Sequence, residues 1–423
     1  MAPAPGARAD AGDPATAPAS PLLTLADVAA ARALLGDVTR VTPVLDSWAL
    51  SEAVGRPVSL KCENLQRTGS FKLRGAYVRI ARLTPAQRAA GVVAASAGNH
   101  AQGVALAASL LGTRATVFMP EGAPLPKVAA TRGYGAEVVL GGRTVDEALA
   151  RAREAEAADG RVLVHPFDSV DVIAGQGTLG LEVVEQRPDV GTVVVCTGGG
   201  GLVAGVAVAV KALRPGVRVV AAQAEGAAAY PASLAAGRPV ALTRMSTIAD
   251  GIAVARPGDV PLAHVAALVD EVVTVDDDAL SRAMLLCLER AKLVVEPAGA
   301  AAVAALLEQP ERVVGDAAGP VVAVLSGGNV DPVLLSTLIR HGMVAAGRYL
   351  SATVRVPDRP GELATLLGVL ARSGANVLDV EHARTDPGLH VGEVTVALRL
   401  ETRGPDHGRL VRDCLREAGY PLT

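Results

Sequence analysis

Short Val-rich runs alternate with longer Ala-rich stretches from about residue 58 to residue 346, and this alternation leaves few folds open to the chain. The runs fall at 58–63, 91–95, 115–119, 136–140, 162–164, 192–196, 217–222 and 321–325. Several are apolar throughout, as a strand covered on both faces requires. Strands separated by helix-length segments read as an α/β fold with a mainly parallel sheet. Ligands in such folds bind beyond the carboxyl ends of the strands, so the Gly-rich and polar clusters after the runs are where chemistry is to be sought. The pattern changes after a helix-like segment at 332–347. Residues 349–423 read strand (350–356), helix (361–373), strand (376–384), strand (389–400) and helix (405–418), a separate β-α-β-β-α unit.

Composition narrows the function. Half of the chain is hydrophobic but only 2% is aromatic, so the core is built from small aliphatic side chains and aromatic platforms for stacking bases are missing. The 40 basic and 43 acidic residues nearly cancel and form no basic stripe, which argues against nucleic acid as a partner. Cys62, Cys196, Cys287 and Cys414 lie far apart without a CxxC pair, a pattern that suits a reducing cytosol rather than a disulfide or zinc scaffold. Apolar runs break well before membrane-spanning length. Residues 1–21, rich in Ala and Pro and lacking Leu, Ile, Val and Phe, read as a disordered tail and not as a leader. The expectation is a cytoplasmic protein with no membrane contact.

Four clusters could carry chemistry. Thr68-Gly69-Ser70-Phe71-Lys72-Leu73-Arg74-Gly75-Ala76 places a lysine where a loop becomes a helix; a buried amine is a usable nucleophile or base, whereas a solvated one is only a helix start. Ser96-Ala97-Gly98-Asn99-His100 follows the run at 91–95 and either caps a helix or offers its N–H groups to an anion. Thr197-Gly198-Gly199-Gly200-Gly201-Leu202 follows the run at 192–196. Four consecutive glycines exceed what a turn needs and let several N–H groups converge on one anion at a helix start. The same stretch fits the dinucleotide pattern G-x-G-x-x-A through Ala204, with Glu225 after the next strand, so a nicotinamide dehydrogenase is a rival reading. Ser326-Gly327-Gly328-Asn329 ends the run at 321–325 with a hydroxyl that either faces a ligand or belongs to a turn.

In this order, the four clusters resemble the fold-type II pyridoxal-phosphate enzymes of the tryptophan synthase β family, and within it the threonine ammonia-lyases. The resemblance spans roughly residues 20–346 and extends through Thr247-Ile248-Ala249-Asp250-Gly251 and Glu296-Pro297-Ala298-Gly299-Ala300. It implies two open, mainly parallel sheets with helices on both faces, in a catalytic domain at 22–346 with a smaller subdomain at roughly 65–165. It implies pyridoxal 5'-phosphate as cofactor and an amino acid as substrate. Lys72 is then the Schiff-base lysine, with Phe71 packing near the cofactor and Asn99 bonding the pyridoxal 3-oxygen. Gly198, Gly199, Gly200, Gly201 and Leu202 cradle the phosphate, and Ser326 faces the pyridine nitrogen. Ser96, Gly98, Asn99 and His100 bind the substrate carboxylate. The implied reaction deaminates L-threonine to 2-oxobutanoate, and L-serine to pyruvate, with serine dehydration or racemisation on the same fold and noncatalytic amino-acid binding as alternatives. Related serine racemases carry a serine where this chain has Ala97, and a methyl group cannot transfer a proton. They bind a divalent cation where this chain has Gln223, Ala227 and Ala229, so no metal is expected.

The unit at 349–423 resembles an ACT domain, a small α+β regulatory fold. Arg359-Pro360-Gly361-Glu362-Leu363 puts Gly361 between its first strand and first helix, and Asn376 opens its second strand. In the family, paired ACT domains bind effectors near that turn, which marks Gly361 and Asn376 as regulatory positions, isoleucine as the first effector to test, and a homodimer or homotetramer as the assembly. The chain stops at Thr423, leaving little room for a fourth strand. His382 and His390 flank a turn at Asp386-Pro387-Gly388 and lack the further ligands a metal needs. The charged stretch 151–159 reads as a solvated helix face.

Overall fold

The computed structural model describes residues 22–384, 389–420 and 422. The tail expected at 1–21 and the turn expected at 386–388 lie outside them. Among the described residues, ten strands serve the first unit: β1 (Val44–Asp46), β2 (Val58–Cys62), β3 (Val92–Ala95), β4 (Ala115–Met119), β5 (Glu137–Leu140), β6 (Val162–Leu163), β7 (Thr192–Cys196), β8 (Arg218–Ala224), β9 (Glu271–Val275) and β10 (Val321–Leu325). They form two sheets. One is six-stranded in the order β1-β2-β10-β7-β8-β9, parallel apart from β1. The other is four-stranded, β5-β4-β3-β6, and wholly parallel. The inner strands β2, β7 and β10 are buried along their whole length; β7 and β10 meet this with Val-rich runs, whereas β2 also buries Ser59 and Lys61.

Two strands carry no such run. β1 and β9 lie at the two edges of the six-stranded sheet and are only partly covered, so nothing forces a continuous apolar sequence on them. The helices explain the scarcity of rings. The helix Val170–Gln186 packs on the helix Lys72–Ala81 so closely that a Cβ on Gly175 would lie 2.6 Å from the Arg74 carbonyl oxygen. On the helix Gly201–Leu213 it packs as closely, with a Cβ on Gly177 reaching 2.8 Å from the Gly205 oxygen.

A charge cluster locks these helices to the sheet. Lys61, in the fully buried β2, donates to Glu182 at 2.5 Å and to the Thr42 carbonyl at 2.7 Å. Arg74 donates to Glu63 at 2.8 Å and to Glu182 at 2.6 Å. Two cations and two carboxylates balance, and Thr42, Thr178 and Gln186 complete their hydrogen bonds, which is what makes burying four charges tolerable. The cluster fixes the helix that begins at Lys72.

The second unit has β11 (Tyr349–Pro357), β12 (Asn376–Ala383) and β13 (Glu393–Glu401) in the antiparallel order β11-β13-β12. Helices Glu362–Ser373 and Pro405–Glu417 bury their apolar sides with the sheet, around Val354, Leu366, Leu370, Val396, Leu398, Val411 and Leu415. Among the described residues, Leu422 forms one antiparallel bridge to Val354. Among the described residues no helix is long and apolar enough to cross a membrane.

Candidate active site

The turns after β10, β7 and β3 and the start of the helix Lys72–Ala81 meet at one place. Backbone contacts draw them together: the Phe71 N–H donates to the Ser326 carbonyl at 3.2 Å and the Gly328 N–H to the Gly69 carbonyl at 2.9 Å. Ser70 and Gly327 form an isolated bridge. Lys72 therefore opens its helix beside Ser326, although the two are 254 positions apart.

Lys72 is half-buried. Its amine donates to the Pro166 carbonyl at 3.1 Å and lies 5.1 Å from the Phe71 ring centre. The protein packed around the amine pushes its pKa down to about 8, against the pull of Cys196 and Glu296. A sizeable neutral fraction at physiological pH is what a nucleophile and proton acceptor needs.

Asn99 is the first residue of the helix Asn99–Leu110. Its amide is fixed at both ends: Oδ1 accepts from Asn329 Nδ2 at 2.8 Å, and Nδ2 donates to Glu296 Oε1 at 2.6 Å. One Asn99 N–H remains for a ligand. Asn329 spends its other N–H on the Thr68 carbonyl at 2.5 Å, bracing a residue whose φ of 65° is left-handed without being glycine. Glu296 is buried, and burial together with Asp250 pushes its carboxyl up to about 7.

The glycine loop is crowded by protein. A Cβ on Gly199 would lie 2.4 Å from the Phe167 ring, and one on Gly198 would lie 2.9 Å from Ile252. Gly200 has φ 93°, and a Cβ there would meet the Tyr230 hydroxyl at 1.7 Å. Glycine is thus required first for these close approaches and only then for exposing N–H groups. Gly201 begins its helix and Leu202 is buried behind it. The N–H groups of that first turn have no acceptor within the helix.

In the second cluster, the Ser96 hydroxyl accepts from the Gly98 N–H at 3.1 Å. The His100 imidazole turns inward: Nε2 lies 2.7 Å from the Val164 carbonyl, so it carries the proton, and burial pushes the ring down to about 3. What His100 offers at the helix start is its backbone N–H. Gly361 and Asn376 are not brought together. Asn376 lies at the Glu401 end of the small sheet, donating to Glu401 at 3.1 Å, whereas Gly361 follows the Pro357 end. The nine residues of β11 separate the two ends by about 25 Å, so within one chain they share no site.

Several groups carried no assigned role in the sequence. The segment 165–168 supplies the Pro166 carbonyl and the Phe167 ring; it follows a strand end, but β6 is only two residues long and signals weakly. Lys127 pairs with Asp250 at 2.9 Å and would lie 3.9 Å from a Cβ on Gly98, beside the second cluster. Among the described residues no group of three His, Cys, Asp or Glu side chains is placed to hold a metal.

The donor set fits pyridoxal phosphate. There is an amine of low pKa, a helix-start cradle for a phosphate, a spare amide N–H and the Ser326 hydroxyl. Ser70 Oγ is buried with no protein partner, as in a shell that a polar ligand completes. A family model for pyridoxal-phosphate dependent enzymes matches residues 36–327. The chain belongs to the pyridoxal-phosphate dependent enzymes. This membership sets aside the nicotinamide reading of the glycine loop. An ACT domain model matches residues 351–409. The L-threonine ammonia-lyase of Thermotoga maritima is 46% identical over 402 residues, covering 95% of this chain and 99% of that protein. Processed threonine deaminase isoform 2 of Solanum lycopersicum superposes with a TM-score of 0.72 at 38% identity, over 75% of this chain and 92% of that one. Maize serine racemase superposes with a TM-score of 0.71 at 38% identity, over 74% and 96%. The pyridoxal-phosphate fold of two parallel sheets, with an ACT domain after it, is the architecture described above.

Proposed function

We propose that this pyridoxal-phosphate enzyme is a threonine ammonia-lyase, converting L-threonine to 2-oxobutanoate and ammonia and L-serine to pyruvate. The observation that carries the reading is the Lys72 amine, held at a pKa of about 8 at the meeting point of the strand-end turns, in a chain 46% identical to an L-threonine ammonia-lyase. When bound, pyridoxal phosphate supplies the electron sink that makes an amino acid's α-proton removable. Lys72 would hold the cofactor, and its amine would take the α-proton of the substrate. Loss of the β-hydroxyl, with a proton, leaves an unsaturated amine that water converts to the keto acid and ammonia. Gly198 to Gly201 and Leu202 hold the phosphate with backbone N–H groups. Asn99, locked by Asn329 and Glu296, would direct its remaining N–H at the pyridoxal oxygen. Ser326 would meet the ring nitrogen and Phe71 would pack against the ring. The Ser96, Gly98, Asn99 and His100 turn holds the substrate carboxylate through backbone N–H groups and the Ser96 hydroxyl.

Ala97 separates this reading from racemisation, because a methyl group cannot deliver a proton to the opposite face of the substrate. The 349–423 unit makes the enzyme responsive to an amino acid, with isoleucine the first candidate, through a site completed by pairing of two chains in a dimer or tetramer. A role in isoleucine synthesis in the cytoplasm follows from that effector. Keto-acid release is measured with threonine and serine, each with and without isoleucine. Rapid release from threonine supports the reading; binding of either amino acid without release, or inversion of serine outpacing ammonia, contradicts it.

A further inference from the structure

We propose that Cys196 is a positioning residue whose thiol orders the Ser326 hydroxyl, turning its proton toward the cofactor's ring nitrogen. The proposal deepens the cofactor assignment above and rests on Ser326 meeting that nitrogen.

The geometry comes from the sheet. β7 and β10 are adjacent parallel strands. Cys196 is the last residue of β7 and Ser326 the first after β10, so their side chains meet at the shared carboxyl edge. Both are buried, and Cys196 Sγ donates to Ser326 Oγ at 3.1 Å. Burial pushes the Cys196 thiol up to about 11, so it remains an S–H donor. A hydroxyl has one proton. When its oxygen accepts from Cys196, that proton is free to be donated elsewhere, and an unprotonated ring nitrogen is an acceptor. The relay from thiol to hydroxyl to nitrogen is neutral throughout. Cys196 also leads directly into the glycine loop, so a readout beyond activity is needed to separate ordering from packing.

The test uses Cys196→Ala, Cys196→Val and Cys196→Ser. The readouts are the visible absorption and emission of bound cofactor, the dissociation constant for pyridoxal phosphate added to cofactor-free protein, and the Tm of that cofactor-free protein. Cys196→Val keeps volume in a strand but removes the donor; Cys196→Ser restores one. The expected result is cofactor binding about threefold to tenfold weaker in the Ala and Val variants, the range one net hydrogen bond spans. Their visible bands change in ratio, the Tm of cofactor-free Cys196→Val stays at the wild-type value, and Cys196→Ser keeps the wild-type spectrum. Wild-type spectra and affinity in the Ala and Val variants would overturn the relay while leaving the cofactor assignment intact. Equal losses in Cys196→Ser and Cys196→Ala would also overturn it. A wild-type protein with no visible band even after added pyridoxal phosphate would overturn both.

Discussion

Replacing Asn329 probes the bracing of the site more sharply than replacing any residue that touches substrate. Its amide donates to the Thr68 carbonyl at 2.5 Å and to Asn99 Oδ1 at 2.8 Å. Asn329→Ala removes both bonds. At about 1 kcal/mol net for each, with Asn329 half-buried so that water partly replaces the lost partners, the loss is about 2 kcal/mol of stability. The left-handed turn at Thr68 also loses its brace, and Asn99 is freed to flip its amide, so cofactor affinity falls as well. Asn329→Asp separates this account from simple packing. It conserves shape but sets a carboxylate oxygen against two acceptors, so it is expected to be worse than Asn329→Ala. Urea unfolding followed by circular dichroism, together with pyridoxal phosphate titration, reads both effects. If Asn329→Asp behaves like wild type, or Asn329→Ala costs under about 0.5 kcal/mol with unchanged cofactor affinity, the bracing argument is wrong.

Other perturbations follow from the same geometry. Gly200→Ala places a methyl against the Tyr230 hydroxyl at a positive φ, and is expected to lower Tm and weaken phosphate binding together, checked by calorimetry and inorganic phosphate competition. The Lys72 amine must be neutral to bond the cofactor, so the rate of cofactor capture by cofactor-free protein should rise with pH and level off above about 8. Stopped-flow absorbance reads this, and a pH-independent rate would contradict it. Ala97→Ser restores a proton donor beside the carboxylate turn and should raise the ratio of serine inversion to ammonia release, measured by chiral chromatography.

The sequence made the framework legible because buried parallel strands announce themselves as apolar runs, and β7 and β10 did so, with β2 carrying a buried lysine among its apolar residues. β1 and β9 escaped because edge strands are only half covered. At the site, the lysine, the second cluster and the tetraglycine loop were visible as short motifs. The reason for the glycines was not: Phe167, Tyr230 and Ile252 press on the loop from distant segments. Glu296, Lys127 and the Cys196 thiol act through contacts between residues more than 120 positions apart, and no local spacing encodes such contacts. Gly361 and Asn376 were marked only as two regulatory positions; that antiparallel register puts them at opposite ends of one sheet is not encoded locally.

The most direct test compares the visible spectrum and threonine-dependent keto-acid release of the wild-type enzyme and Lys72→Ala. The account predicts a visible band and release of 2-oxobutanoate in the wild type, with both lost in the variant. A Lys72→Ala protein that kept its band and its turnover would contradict it.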